Sequence, residues 1–307
     1  MPADLRPPVS AARLRVSVAC VLAAFLAAGV ATAGIAGAGT GRAQTREVIP
    51  SFDRVVVVVF ENKEFDRVIG SPDAPAFRSL SRRYALMTNY RAVAHPSLPN
   101  YLAMVSGSSQ GIASDCTSCQ VSAPNLADAL ERAGMTWKTY AEGLPRAGFT
   151  GAKAGRYAKK HNPLVYFTDV VSSPDRLRRI VPLRSFARDL GAGRLPDFSL
   201  VVPDLCHDMH DCSVAAGDAW LRTFLRPLLG HPALRHGVVF VVFDEGVSDE
   251  GGGGHVPALV LGPLVRPGSR TSMPLDHYAL LRTIEGGWGL PFLGRSRGSR
   301  EITGIWR

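Results

Sequence analysis

Carboxylate and carboxamide side chains directly follow three strongly apolar segments of this sequence. The segments are 54–60, 197–202 and 237–243, and the polar residues behind them are Glu61, Asn62, Asp204, Asp244 and Glu245. Carboxylates that cluster repel one another and raise one another's pKa unless a cation lies among them. If these segments are neighbouring parallel strands, their ends would form an oxygen-rich site for a divalent metal. At any single position, an acid in this place could instead be the cap of the next helix.

Histidines accompany the acids in two of these regions. The segment PDLCHDMHDCS at 203–213 carries acids and histidines between two cysteines, and GVSDEGGGGH at 246–255 ends a glycine run on a histidine. The candidates are Asp204, His207, Asp208, His210, Asp211 and His255. Mixed oxygen and nitrogen donors suit Zn²⁺, Mn²⁺, Mg²⁺ or Ca²⁺. The glycine run could cradle a phosphate or be a plain surface loop, and no Walker pattern surrounds it.

A serine stands where an extended segment turns into a helix, in the stretch AHPSLPNYLAMVSG. We expect Ser97 at the N-cap of that helix, where free N–H groups and the positive dipole end favour an anion. The hydroxyl could be only a cap, or it could be a nucleophile whose pKa a bound metal lowers. Asn100 lies one turn along and could donate a hydrogen bond to a phosphate oxygen.

Alternating strand and helix patterns position these residues. Continuous β-branched runs at 54–60 and 237–246 are typical of strands buried on both faces. Further strands are predicted at 90–95, 136–142, 197–204 and 255–263, and helices at 75–85, 97–107, 123–134, 185–193, 217–230 and 276–289. Residues 143–180 are hard to assign and are expected to form an excursion over the sheet edge. The pattern predicts an α/β fold with a mainly parallel central sheet flanked by helices on both faces. Its ligand site is expected at the carboxyl ends of the strands.

The N-terminal segment has the pattern of a secretory signal. Arginines precede a long run of Ala, Val and Leu, and small residues follow it. We predict a signal peptide over 1–43 and a single catalytic domain over 44–307, with a secreted, extracellular or cell-envelope location. An uncleaved membrane anchor is the alternative, because the run is long enough to span a bilayer.

The charge and composition limit the class of partner. Loss of residues 1–43 removes four arginines and one aspartate, which lowers the net charge from +9 to +6. There is no arginine-rich block and no interleaving of basic and aromatic residues, so a nucleic-acid partner is not indicated. The sequence is 46% hydrophobic and 20% charged, which argues against general disorder. It does not fix the oligomeric state.

Four cysteines remain after the signal segment, an even number that favours disulfides in an exported chain. The close spacings favour local pairs, Cys116–Cys119 and Cys206–Cys212, although cross-pairing is open. A C-x-x-C could also bind metal or do redox work. No second C-x-x-C exists, and structural bridges are the preferred interpretation.

Taken in order, these motifs resemble the bacterial phosphoesterase family that contains secreted acid phosphatases and phospholipase C-type enzymes, within the alkaline-phosphatase-like superfamily. The matching segments are FENKEFDRVIG, HPSLPNYLAMVSG, YAKKHNPLVYF, PDLCHDMHDC with GDAWL, FDEG with GGGGHVPALVLGP, and DHYALLRTIE. They lie between residues 60 and 285. The resemblance implies a three-layer sandwich, a divalent metal, and a phosphate-ester substrate that is a small molecule or a phospholipid head group.

The resemblance also implies roles for individual residues. Ser97 matches the nucleophile, which contacts a metal while it takes the phosphoryl group. Glu61 with Asn62, and Asp244 with Glu245, match two pairs of metal ligands. His255 is expected to be catalytic, as the histidine that binds metal or the phosphate. The remaining expected roles are a second metal or leaving-group protonation for Asp204, Asp208 and His210, and substrate contact for Asn100 and His161.

The implied activity is that of a secreted metal-dependent phosphatase that acts through a phosphoserine. Phosphodiesterase or phospholipase C-type activity is the alternative, and the chain lacks the long C-terminal extension typical of the phospholipase C branch. A non-catalytic exported binding protein on the same fold is a further alternative. A sulfatase is disfavoured, because SLPNY lacks the arginine of the C/S-x-P-x-R context.

Overall fold

The computed structural model describes residues 49–307, and the signal segment predicted over 1–43 lies outside the described residues. Within 49–307 the strands, in chain order from β1 to β12, are Arg54–Phe60, Ala85–Met87, Tyr90–Arg91, Trp137–Ala141, Lys153–Ala154, Tyr157–Ala158, Ile180–Pro182, Phe198–Val202, Gly237–Phe243, Ala258–Leu261, Arg270–Thr271 and Leu275–Asp276.

The α-helices of the same region are numbered α1 to α9. They are Phe65–Val68, Pro75–Arg83, Ser97–Ser106, Leu126–Arg132, Thr168–Val171, Pro174–Leu177, Arg184–Gly191, Val214–Leu225 and His277–Trp288. Short 3₁₀ turns connect several of them, at Lys159–His161, Pro163–Tyr166, Pro232–Leu234, Glu250–Gly252 and Gly294–Gly298. None of the helices within 49–307 is long and apolar enough to cross a membrane.

Eight strands form one sheet in the order β11-β2-β10-β9-β1-β8-β4-β7. Strand β1 pairs in parallel with β9 on one side and β8 on the other, and β4 continues the parallel ladder to β7. Strand β10 runs antiparallel to both β9 and β2. The predicted α/β fold with a mainly parallel sheet is therefore confirmed, and the antiparallel strand adds a detail that the sequence patterns did not predict.

The central strands of the sheet are buried, and their residues are apolar on both faces. Residues 55–60 of β1 and all of β9 are buried. β-branched side chains fill a pleated surface that is covered on both sides, and this explains the uninterrupted valine runs. The sequence patterns missed β2 and β11, whose three and two residues are too short to show a period.

Helix α3 carries the predicted nucleophile and is buried along all ten of its residues. It packs against α9. It ends at Gly107, whose φ of 69° is left-handed. A β-carbon at this glycine would lie 2.1 Å from the carbonyl oxygen of Leu293, so no other residue fits without a shift of the backbone. The C-terminal end of the helix is therefore held close against the backbone at Leu293.

Candidate active site

The ends of β1 and β9 bring two of the predicted acidic groups side by side. The strands are in register up to Phe60 and Phe243. The backbone N–H of Asp244 donates to the carbonyl oxygen of Phe60 at 2.9 Å, and the N–H of Glu61 donates to the carbonyl oxygen of Asp208 at 2.8 Å. Glu61, Asp208 and Asp244 are all fully buried. Three acids that are distant in the sequence thus meet at one sheet edge.

Ser97 points its hydroxyl at two of the acids. Its Oγ lies 3.2 Å from Oε2 of Glu61 and 3.1 Å from Oε1 of Glu245. The predicted N-cap position was wrong by one residue, because Pro96 is the cap and Ser97 is the first helical residue. The hydroxyl makes no capping hydrogen bond. The hydroxyl is buried among carboxylates, which is the position that a nucleophile at this site requires.

Two aromatic rings close the cluster from the side of α3 and the 3₁₀ turn that follows β6. His161 places Nε2 3.3 Å from Glu61 and Nδ1 3.4 Å from Asp208, so its ring bridges two carboxyl groups. The hydroxyl of Tyr101 donates to the other oxygen of Glu61, and its ring stacks on His161 with centroids 5.3 Å apart. We predicted His161 as a substrate contact, but nothing in the sequence indicated Tyr101.

The pKa values of the acids are raised, because the acids are buried and repel one another. Burial, reinforced by the charges of Asp244 and Asp208, raises the pKa of Glu61 well above its ordinary value. Burial raises the pKa of Asp208 to about 8, and burial with the charge of Glu245 raises that of Asp244 to about 8. Burial lowers the pKa of His161, which keeps its ring neutral and able to bind metal.

Several buried polar atoms of the site lack a hydrogen-bond partner within the described chain. They are Oδ1 of Asn62, Nε2 of His161, Oδ2 of Asp208 and Oδ2 of Asp244. Ligand atoms of Glu61, His161 and Asp208 lie within 4.8 Å of one another. Orphaned buried acceptors are costly unless something satisfies them, and this donor set fits a divalent cation.

Asn62 adopts a strained backbone conformation within this cluster. Its φ is 47°, a left-handed value that is uncommon outside glycine, and its N–H lies 3.4 Å from Oδ1 of Asp244. Such strain concentrates at functional sites. The conformation turns the chain directly behind Glu61.

Basic side chains that we did not predict also surround the acids. His95 places Nδ1 2.5 Å from Oε2 of Glu245. Lys160 donates to Asp115 at 2.9 Å and lies 3.5 Å from Nε2 of His210. Burial opposes the charge on Lys160, but the hydrogen bond and charge of Asp115 outweigh it and raise its pKa. A histidine before Ser97 and a lysine before His161 were visible in the sequence, but neither has a distinctive spacing.

Asp204 lies in a different cluster from Asp208. Oδ1 of Asp204 accepts from the backbone N–H groups of Cys206 and His207, each at 3.0 Å. Nδ1 of His207 lies 2.9 Å from Glu142, and the three side chains form a half-buried group at the ends of β4 and β8. The structure therefore separates Asp204 from Ser97, although both acids of the segment were predicted as metal ligands.

Asn100 is engaged with the backbone that precedes the helix. Its Oδ1 accepts from the N–H groups of Val93 and Ala94 at 3.0 and 3.1 Å, and its Nδ2 donates to the carbonyl oxygen of Ala94 at 2.8 Å. The side chain is fully buried. These contacts use the amide to hold the turn before Ser97, rather than leaving it free for the predicted phosphate contact.

The glycine-rich loop wraps around an anion that belongs to the chain itself. The carboxylate of Glu64 accepts from the N–H groups of Val247 and Ser248 at 2.9 Å each, and from that of His255 at 3.1 Å. The ring of His255 stacks on Phe65 and lies 3.1 Å from the carbonyl oxygen of Thr88. The described contacts of His255 thus anchor the loop and do not join it to Ser97.

Both locally paired disulfides are present, Cys116–Cys119 and Cys206–Cys212. The second closes the loop that carries Asp208 and His210. His210 is half-buried, with Nδ1 2.7 Å from Asp211 and its ring 5.9 Å from that of His161. His210 therefore lies at the rim of the cluster, where its ring is in contact with solvent.

Comparison with known proteins agrees with this geometry. The chain matches the model of the phosphoesterase family over residues 71–291. It is 37% identical over 261 residues to the phosphatidylinositol-3-phosphatase of Mycobacterium tuberculosis, covering 84% of each chain. It is 32% identical over 271 residues to a probable acid phosphatase of Kluyveromyces lactis, covering 83% of this chain and 62% of the yeast protein.

The fold is also shared with solved structures. A protein of the alkaline phosphatase superfamily from Vibrio parahaemolyticus superposes with a TM-score of 0.57 at 15% identity, covering 82% of this chain and 71% of the other. The phosphonate monoester hydrolase of Agrobacterium radiobacter superposes with a TM-score of 0.52 at 14% identity, covering 83% and 79%.

The chain belongs to the phosphoesterase family. It is a hydrolase that acts on phosphoric ester bonds, as the resemblance implied, and this sets aside the alternative of a non-catalytic binding protein.

Proposed function

We propose that this protein is an exported, metal-dependent phosphomonoesterase that uses Ser97 as its nucleophile. The observation that carries the proposal is the hydroxyl of Ser97, which is buried and lies within 3.2 Å of carboxylates from both Glu61 and Glu245. A capping hydroxyl would face the helix backbone, whereas this one faces two carboxylates. Beside them, Asp208 and Asp244 each have a buried oxygen with no hydrogen-bond partner among the described residues.

The ligands proposed for the cation are the acids and amide around Ser97. They are Glu61, Asn62, Ser97, Asp208, Asp244 and Glu245, together with His161. A divalent cation bound there supplies positive charge that offsets the carboxylates, lowers the pKa of the serine hydroxyl and stabilises the charge of the transferring phosphoryl group. Zn²⁺, Mn²⁺, Mg²⁺ and Ca²⁺ all remain candidates. The Glu142, Asp204 and His207 group is outside this set.

The reaction proposed for the chain's own groups has two steps. Oγ of Ser97 passes its proton to the carboxylate of Glu245, 3.1 Å away, and attacks phosphorus, which forms the Oγ–P bond while the bond to the leaving oxygen breaks. The ring of His210 is proposed to give a proton to that oxygen. Lys160 adds positive charge at the same rim, 3.5 Å from His210. Water then gives a proton to the ring of His210 and attacks phosphorus, the Oγ–P bond breaks, Oγ recovers its proton from Glu245, and phosphate leaves.

The mycobacterial relative suggests a substrate class to test first. Its name describes a phosphatase of a phosphoinositide, and the similarity extends over most of both chains. We therefore propose phosphate monoesters, with a phosphoinositide as the first lipid candidate. The chain spans less than two thirds of the yeast and fungal acid phosphatases, so their substrates are weaker guides. Export is supported by the signal-like segment and by the two disulfides.

The test is the Ser97→Ala variant assayed with p-nitrophenyl phosphate, bis-p-nitrophenyl phosphate and phosphatidylinositol 3-phosphate vesicles. Loss of a nucleophile is expected to lower kcat by more than about 1,000-fold. Acid-quenched wild-type enzyme should carry phosphate on Ser97 by peptide mass spectrometry. Faster turnover of the diester than of the monoester would instead support the phosphodiesterase or phospholipase C alternative.

Ser106→Ala is the matched control. Ser106 is also a buried serine of α3, but its hydroxyl donates to the carbonyl oxygen of Leu102 at the far end of the helix. It should keep wild-type kcat. Wild-type turnover by Ser97→Ala, with or without chelator, would refute the proposed nucleophile.

A further inference from the structure

A buried histidine at the start of α9 fixes the backbone of one of the site's acids. Nε2 of His277 lies 2.6 Å from the carbonyl oxygen of Asp244, and Nδ1 lies 3.1 Å from the hydroxyl of Tyr90. Both His277 and Tyr90 are fully buried. Since a carbonyl oxygen only accepts, Nε2 carries the proton, and Nδ1 of the neutral ring accepts from the tyrosine.

The backbone of Asp244 is therefore held on both sides of its Cα. Its N–H donates to the carbonyl oxygen of Phe60, and its carbonyl oxygen accepts from His277. Phe60 directly precedes Glu61. The peptide group that joins Asp244 to Glu245 carries both the carbonyl oxygen held by His277 and the N–H of Glu245, which donates to the side chain of Asp244 at 2.6 Å, so the orientation of this peptide group affects both acids.

The elements around His277 hold the ring itself in place. Strand β12 pairs in parallel with β3, with Leu275 beside Tyr90, and this brings the tyrosine hydroxyl to the ring. Asp276 caps α9 by accepting from the N–H of Ala279 at 2.8 Å. Helix α9 also packs against α3, which carries Ser97. Helix α9 therefore begins beside Asp244 and also packs against α3.

We infer that His277, oriented by Tyr90, is a positioning residue that fixes the backbone of Asp244 and so directs the carboxylate of Glu245 at the hydroxyl of Ser97 and holds that of Asp244 in the acid cluster. This inference rests on the proposed function of the site. His277 touches neither Ser97 nor the acid side chains in the described contacts, so it acts through the backbone. Its effect should be on the geometry of the reacting groups, and hence on kcat and on cation affinity more than on KM.

The first experiment compares His277→Leu with His277→Gln. The leucine variant removes the donor to Asp244, whereas glutamine can place an amide nitrogen near the position of Nε2. Loss of a group that orients metal ligands usually costs about 10- to 100-fold in affinity or activity. We expect that loss in kcat and in Mn²⁺ affinity for His277→Leu, by calorimetric titration of chelator-treated protein, with KM nearly unchanged and partial recovery in His277→Gln.

Ser296→Ala is the control for simple destabilisation of α9. Ser296 lies in the 3₁₀ turn after α9, and its hydroxyl donates to the buried carboxyl of Glu285, a residue of α9, at 2.5 Å. Glu285 is about two turns of the helix beyond His277. This variant should lower Tm and leave kcat and Mn²⁺ affinity at the wild-type level. If it loses as much kcat as His277→Leu, or if glutamine performs no better than leucine, the positioning role is refuted.

Tyr90→Phe keeps the inference testable if the leucine variant does not fold. It removes only the hydroxyl that orients the ring, and loss of one neutral hydrogen bond predicts a fall in kcat of about threefold to tenfold. Wild-type kcat and Mn²⁺ affinity in this variant would overturn the inference. If the wild-type protein hydrolyses no phosphate ester, the proposed function fails, and the Mn²⁺ affinities of the variants still decide the role of His277.

Discussion

Removal of divalent cations is expected to make the stability of this protein fall as the pH rises. Burial raises the pKa of Asp208 and of Asp244 to about 8, from an ordinary value of 3.8. A carboxyl whose pKa is higher in the folded than in the unfolded state contributes stability at low pH. That contribution is lost as the pH rises from about 4 to about 8, because the unfolded chain ionises the group more easily.

The magnitude follows from the size of the shift. One pKa unit corresponds to about 1.4 kcal/mol, so a single group shifted from 3.8 to about 8 could lower the free energy of unfolding by up to about 5 kcal/mol. Most of that loss falls between pH 5 and pH 8. For a domain of this size, about 1 kcal/mol moves Tm by roughly 2–4 °C. Chelated protein should therefore melt about 10 °C lower at pH 8 than at pH 5.

The assay is thermal unfolding at pH 5, 6, 7 and 8 in chelator, repeated after addition of Mn²⁺ or Zn²⁺. A cation bound among the acids should restore Tm, and more strongly at pH 8 than at pH 5, because the ionised ligands bind it. Asp244→Asn should flatten the profile of the chelated protein, whereas Asp175→Asn, at an exposed position, should not. A chelated wild-type protein as stable at pH 8 as at pH 5 would refute the reasoning.

Three further changes test the supports of the site. Tyr101→Phe removes the donor to the buried carboxylate of Glu61, and kcat should fall by about 10- to 100-fold, since hydrogen bonds to charged groups contribute about 1.5–3 kcal/mol. Glu64→Ala should speed hydrogen exchange at the amides of the glycine-rich loop, measured by mass spectrometry, and unchanged exchange would contradict the anchoring role. Replacing both members of the Cys206–Cys212 pair by serine should lower the free energy of unfolding by about 2 kcal/mol in urea titrations. A smaller loss than that of the Cys116–Cys119 double variant would contradict the idea that closure of this loop stabilises the fold.

Local sequence patterns were enough to predict the central strands and the acids at their ends. The valine runs of β1 and β9 are long and β-branched, so they predict buried strands wherever they occur. Because parallel strands end at one edge, Glu61 and Asp244 were expected to meet, and they do. Ser97 and both disulfides were also predicted from short-range features. None of these inferences required knowledge of long-range contacts.

The histidines were harder to assign, because their roles depend on how irregular segments fold. His161 was predicted as a substrate contact, and the structure places its ring between Glu61 and Asp208, while His255 anchors the loop around Glu64. His95 was not predicted, although it contacts Glu245. A histidine in a loop has no periodic pattern, so its sequence position says little about the direction of its ring.

The sequence by itself determined that this chain has a mainly parallel sheet with an acid-rich carboxyl edge and a serine at a helix start. Both properties come from local preferences, namely strand burial and helix initiation. Asp204 and Asp208 lie four residues apart in one loop. Only the tertiary structure decided that Asp208 enters the Ser97 site, whereas Asp204 joins Glu142. That separation depends on the path of the loop backbone, in which the N–H of Asp208 donates to the carbonyl oxygen of Asp204, and on contacts with a distant strand end, where the N–H of Glu61 donates to the carbonyl oxygen of Asp208. Neither the path of the loop nor its distant contacts can be predicted from the residue types of the segment alone.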